Sequence, residues 1–265
     1  MQLAIDTHLH IYPCYDLRAL LTSLRQNLAA SCPDAVCMAM LAERHDCRFF
    51  RTLAAGTAAL PEPATATVIG DQVVKIRESG HPDLFLFAGR QVITAERIEI
   101  LALTTDDDIA DGLPAADVVT MIGERGGIPV ISWAPGKWFF SRGRVVEQLL
   151  AQFAPGALLL GDTTLRPRIW PMPRLMRQGL ERGFGLVAGS DPLPFAGEER
   201  LAGGYGIALS ADLDLDDPLD SLRSLLSRSG LRPTLVGRRG KTVATLRRLV
   251  RNSRAGKKQG EKGQR

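Results

Sequence analysis

Residues 3–5 form a short apolar run, long enough for a buried strand, and Asp6, His8 and His10 follow it at a spacing of two. In an extended chain, residues two apart point to the same side. Both imidazoles therefore aim into one space at the carboxyl end of the strand, with Asp6 beside them. The period then changes: Leu17, Leu20, Leu21, Leu24 and Leu28 recur at helical spacing and predict a helix over 17–29. Residues 35–41 are a second apolar run, followed by Glu43, Arg44, His45 and Asp46, so polar chemistry again follows a strand. Residues 65–69 and 72–76 flank Gly70-Asp71 and read as a hairpin, with further strands at 84–87, 91–94 and 98–103.

From residue 114 helix and strand alternate: helices at 114–124, 145–153 and 173–182, strands at 128–131, 157–160 and 186–188. Such alternation argues for βαβ units and a parallel sheet or barrel, whose chemistry sits in the loops at the strands' carboxyl ends. Those loops are Ser132-Trp133-Ala134-Pro135-Gly136-Lys137, Gly161-Asp162 leading to Arg166, and Gly189-Ser190-Asp191-Pro192. Gly203-Gly204-Tyr205-Gly206 reads as a mobile loop over the site. A helix at 219–226 and an amphipathic basic helix within 235–250 follow, and the charged, glycine-rich stretch 255–265 predicts disorder.

Composition narrows the class. A chain of 265 residues with 45% hydrophobic content buries a full core, and one barrel-sized domain is expected over 1–235, with 236–265 as a basic helix and tail. Asp6, His8 and His10 interrupt the place where the apolar segment of a signal peptide would lie, and the apolar runs are too short to span a bilayer. The four cysteines lack Cys-x-x-Cys spacing, so the expectation is a cytoplasmic protein with reduced thiols. From Ser221 onward 14 Lys or Arg face one acid, which leaves 19 basic and 28 acidic groups in the body. The basic tail suits weak electrostatic contact with nucleic acid or an anionic surface, or simple solubilisation.

The opening Asp6-Thr-His-Leu-His10 resembles the start of the PHP-type metal-dependent phosphoesterases, and more broadly the amidohydrolase-like metal hydrolases. The resemblance implies a PHP-like, distorted TIM-type β/α barrel of parallel strands with helices outside, and metal at the strands' carboxyl ends. It implies His8 and His10 as ligands, His45 as a further one, and Glu96, with Glu99 as the fallback, as a bridging carboxylate. Gly189-Ser190-Asp191 matches the motif that closes the metal site, where the Asp binds metal and takes the proton of the attacking water. Two positions depart from the pattern: Trp133 and Leu193 stand where histidines are expected, so one or two ions are the most these ligands support.

The expected activity is metal-dependent hydrolysis of a small anionic substrate, a phosphoester above all, with Zn, Mn or Fe as the divalent metal. Asp191 or Glu96 would accept the proton, and Lys137, Arg142 and Arg166, with Trp133 alongside, would hold the substrate. The alternatives are a degenerate barrel that binds a ligand or regulates, an amidohydrolase-like C–N hydrolase, and a nucleic-acid-processing enzyme that uses the tail.

Overall fold

The computed structural model describes residues 1–262, with side chains as far as Arg254; residues 263–265, the end of the tail read as disordered, lie outside the described residues. The chain begins β1 (Gln2–Leu9), α1 (Leu17–Ser31), β2 (Val36–Leu41), α2 (Phe49–Ala54), β3 (Thr65–Val68), β4 (Val73–Arg77), β5 (Leu84–Phe87), β6 (Gly89–Ile93) and β7 (Glu99–Leu103). It continues α3 (Ala115–Glu124), β8 (Ile128–Ser132), α4 (Phe140–Gln152), β9 (Leu159–Thr163), α5 (Arg174–Glu181) and β10 (Gly185–Gly189). After a tight turn at Glu198–Leu201 come β11 (Tyr205–Ser210), α6 (Leu219–Leu226), β12 (Thr234–Gly237) and α7 (Thr242–Lys262).

The strands form two mixed sheets, of order β12-β11-β1-β2-β5-β4-β3 and β10-β9-β8-β7-β6. Only β1–β2–β5 and β8–β9–β10 run parallel; the other pairs are antiparallel. This corrects the expected barrel: sheets of seven and five strands stand in place of one closed ring of parallel strands. The physical reason lies between β3 and β7, where the connections are too short to carry a crossover helix, and short connections join antiparallel neighbours. The predicted hairpin around Gly70-Asp71 is one of them, with Thr65 opposite Arg77. Tyr205 and Gly206, read as part of a mobile glycine loop, instead open the strand Tyr205–Ser210, which pairs antiparallel with β1.

One core lies between the sheets and takes Ile5, Met38, Phe85, Leu101, Val130 and Val187 from both. Helix α1 covers the outer face of the first sheet through Leu20, Leu24 and Leu28. Helices α3, α4 and α5 cover the second through Val118, Ile122, Val146 and Met176. Burying each leucine or valine stripe stabilises by roughly 1.5–3 kcal/mol per side chain, which fixes the layers. Among the described residues no helix is long and apolar enough to cross a membrane.

The sheets meet at two seams, and a glycine permits each. Gly189, ending β10, lies against β1, where a Cβ would stand 2.7 Å from the His8 Cα and nearer still to its backbone N. Gly89, opening β6, lies against the end of β2, where a Cβ would overlap the Leu41 carbonyl. At this second seam Glu43 N donates to Gly89 O at 3.0 Å and Gln91 N donates to Glu43 O at 2.8 Å.

Gly189→Ala is expected to destabilise the protein by about 1–3 kcal/mol, because the clash is with backbone that cannot yield. Exposed Gly123 in α3 has nothing within 4 Å, and Gly123→Ala is expected to be neutral or to stabilise by up to about 1 kcal/mol. Urea midpoints of the two variants test the seam; equal midpoints would show that it is not tight.

Candidate metal centre

The carboxyl end of β1 carries three kinds of side chain, sorted by the alternation of the strand. Thr7 turns to the other face and donates to Ala188 O at 2.8 Å. Asp6, His8 and His10 share one face and are buried. Asp6 is a structural anchor: its carboxylate accepts from Ser190 N at 2.9 Å, Gly203 N at 2.9 Å, His8 N at 3.1 Å and the Ser190 hydroxyl. Burial pushes its pKa up, while these donors pull it down towards the ionised form they require. By holding Ser190, Asp6 brings the next residue, Asp191, over the histidines.

Among the described residues His8, His10 and Asp191 are the one group of three ligand-type side chains that converge. The two Nε2 atoms are 3.1 Å apart, and Asp191 Oδ1 is 3.7 Å from that of His8 and 3.6 Å from that of His10. The centre of that triangle lies about 2.0 Å from each corner, which is the distance zinc keeps from imidazole nitrogen and carboxylate oxygen. Asp191 reaches this place with a left-handed backbone, φ 47°, uncommon for a residue other than glycine, and its N–H donates to His8 O at 2.9 Å.

The protonation states suit a cation. Burial lowers the pKa of His8 and outweighs the pull of Asp191, so the imidazole is neutral with a lone pair to give. Burial alone would raise Asp191, yet His8, His10 and Arg248 together hold it down to about 2. Neutral imidazole and ionised carboxylate are the forms in which these groups ligate metal. Ser132 Oγ lies 3.3 Å from His8 Nδ1 and orients the ring from behind. The residues present therefore fit one divalent ion.

His10 and Asp191 line a cavity of about 430 Å³, a size that takes a small molecule, whose wall also includes Tyr12, Arg44, Glu99, Lys137, Leu193 and, from α7, Leu249. Burial raises the pKa of Glu99, opposed by Lys137, whose Nζ is 3.4 Å away.

The remaining sequence candidates scatter. Glu96 is not at the site: both its oxygens accept from Ala115 N, at 3.1 and 3.2 Å, capping α3. Glu99, the fallback three residues on at the start of β7, lines the cavity but is not among the three converging ligands. His45 stands at the cavity rim, exposed, with Nδ1 3.4 Å from Asp111, apart from the converging ligands. Lys137 reaches the cavity wall. Arg166 turns inward, paired with Asp162 and donating to Trp170 O at 2.9 Å, so it is a structural strut. Arg142 lies partly exposed on α4, outside the cavity wall. Trp133 is buried among Ile131, Val146 and Leu160 and lines no part of the cavity.

Arg44, Tyr12, Ser132 and Arg248 were not marked as functional by the sequence. The charged cluster after β2 was a signal for Arg44; nothing local to Arg248 or Ser132 announced them.

Neither a protein-family model nor a curated protein sequence matches the chain. Among solved structures it is similar to PsfC from Pseudomonas syringae PB-5123, with a TM-score of 0.55 and 12% identity over 95% of this chain and 96% of that one. It is also similar to the lesion-specific endonuclease PfuEndoQ from Pyrococcus furiosus, with a TM-score of 0.50 and 10% identity over 86% of this chain and 56% of that one. The chain thus spans little more than half the length of the endonuclease. At these identities the likeness establishes a shared fold.

Asp6→Asn replaces an acceptor of four hydrogen bonds with an amide that also donates. The expected loss is at least about 1–3 kcal/mol, the desolvation penalty of a buried group left mispaired, with weaker metal uptake as Asp191 loses its register. Chemical denaturation and a metal titration read the two effects; an unshifted denaturation midpoint would contradict the anchoring role.

Proposed function

We propose that the protein is a metal-dependent hydrolase of small phosphoesters. The observation that carries this reading is the buried triangle of His8, His10 and Asp191 opening into a small-molecule cavity with Arg44 and Lys137 in its wall. The fold shared with PsfC and with PfuEndoQ, a lesion-specific endonuclease, supports a PHP-like relationship.

Two nitrogens and one carboxylate oxygen suit Zn, Mn or Fe. A divalent ion held by them supplies Lewis acidity towards a phosphoryl oxygen and eases the ionisation of water. His8 and His10 hold fixed positions on one strand, so little ordering accompanies binding. Asp191, held down to about 2, is matched to ligation and poorly matched to accepting a proton near neutral pH. Glu99 is the better proton acceptor: it lies in the same wall, and burial raises its pKa towards the working range. Lys137 beside it keeps the carboxylate in place and adds positive charge. Arg44, steadied by Asp46 at 3.0 Å and lying over the Tyr12 ring, offers a planar fork for phosphate oxygens. Burial raises the pKa of Tyr12, so its hydroxyl keeps its proton and remains a donor in the cavity wall.

These cations favour a phosphoester over an amide, because a phosphoester brings negative charge that they can bind in the ground state, whereas an amide develops an oxyanion only on the way to its tetrahedral intermediate. Leu193, where the resemblance leads one to expect a further histidine, presents a hydrocarbon wall instead, and a single ion follows from the three ligands present.

Purified protein is expected to carry about one equivalent of transition metal by elemental analysis, and the His8→Ala/His10→Ala double variant none; equal metal in both would sink the assignment. Glu99→Gln is expected to lower kcat on a phosphoester by about 10²–10⁴-fold. Glu96→Gln is expected to leave kcat near wild type and to weaken α3 by about 0.5–2 kcal/mol. Steady-state kinetics with melting curves separates the two glutamates, and the opposite ranking would reassign the base.

A further inference from the structure

Helix α7 has two faces. Val243, Leu246 and Val250 are exposed on one side, while Thr245 is buried on the other and Leu249, Asn252 and Ser253 line the cavity. Between them Arg248 reaches into the loop that follows β10. Its Nε lies 2.9 Å from both Glu198 oxygens and its Nη2 2.7 Å from Oε2. The remaining donors go to Thr164 Oγ1 at 3.0 Å and to the carbonyl oxygen of Asp191 at 3.2 Å.

Each of those partners holds a neighbour of Asp191. Thr164 donates to Ser190 O, and Glu198 Oε2 accepts from Leu193 N at 3.0 Å. The residue before Asp191, its own carbonyl and the second residue after it are thus tied to one guanidinium. A non-glycine residue with positive φ persists only where its surroundings over-determine it. Asp6 fixes the entry to the turn through Ser190, and Arg248 fixes the carbonyl and the exit.

We propose that Arg248 is a positioning residue: it latches α7 onto the site and holds the Asp191 carboxylate in register with His8 and His10. The C-terminal helix then belongs to the metal site, and its cavity-facing side limits the size of the substrate. This rests on the reading of the triad as a metal site, and for its kinetic consequence on the hydrolase reading.

The test uses the full chain stripped of metal and titrated with Co(II). In Arg248→Met, Co(II) affinity is expected to fall by about tenfold or more, the usual effect of losing a group that orients a ligand. The visible Co(II) spectrum should change as the carboxylate moves, and Arg248→Lys should recover part of both. With p-nitrophenyl phosphate, Arg248→Met should lower kcat with little change in KM. Where Arg248→Met does not fold, Glu198→Gln loosens the same latch from its other end and carries the same expectations. Wild-type Co(II) affinity and spectrum in the folded variant would overturn the proposal, leaving Arg248 a tie for the helix alone. Wild-type protein that takes up no Co(II) would overturn it together with the metal site. Co(II) binding by wild type without turnover of any phosphoester would sink the hydrolase reading only, and the spectral comparison would still decide the role of Arg248.

Discussion

Asp6 has no exposed surface, and its carboxylate gathers four hydrogen bonds from His8, from Ser190 twice, and from Gly203. One of these donors comes from β1 itself, and the others lie 184 and 197 residues further along the chain. A carboxylate removed from water must find such partners or give up its charge, so the loop after β10 and the glycine before β11 have to come to it. The position of Asp191 over the histidines follows from that requirement.

The close approach of β10 to β1 is the second half of the same constraint. Gly189 leaves no room for a side chain against His8, and Asp191 N bonds His8 O across the gap. Chain ends that meet at such a seam bring their side chains into one space without closing a barrel. The candidate metal centre therefore sits at the carboxyl ends of β1 and β10, between two sheets, while the wall around it draws on loops after β2, β7 and β8 and on α7. The electrostatics follow from this placement. Burial lowers the pKa of His8, while against burial His8, His10 and Arg248 hold that of Asp191 down, which leaves a donor set complementary to a cation.

How much of this was legible depended on the distance over which each residue acts. His8 and His10 were visible because a spacing of two in an extended segment puts side chains on one face, whatever surrounds them. Helices α1 and α6 were visible from their apolar periodicity, α3 and α5 from the alternation of helix and strand, and the β3–β4 hairpin from Gly70-Asp71. The choice between Glu96 and Glu99 was not decidable in one dimension, since one follows a strand-like run and the other lies near the start of the next. In three dimensions Glu96 caps α3 and Glu99 lines the cavity. Arg166 and Trp133 misled because a cation or an aromatic in a loop looks available until its partners, Asp162 in one case and the α4 core in the other, are known.

Covalent spacing and local backbone preference are enough to place the periodic elements, to set His8 and His10 on one face and to mark Asp191 at the end of a glycine-flanked strand. Packing is what makes the strands two mixed sheets, turns Glu99 and Arg44 to the cavity, and lets Arg248, 57 residues from Asp191, grip its carbonyl. Those outcomes depend on which surfaces are buried against which, and on buried charges finding partners across long stretches of chain. No window of sequence contains that information.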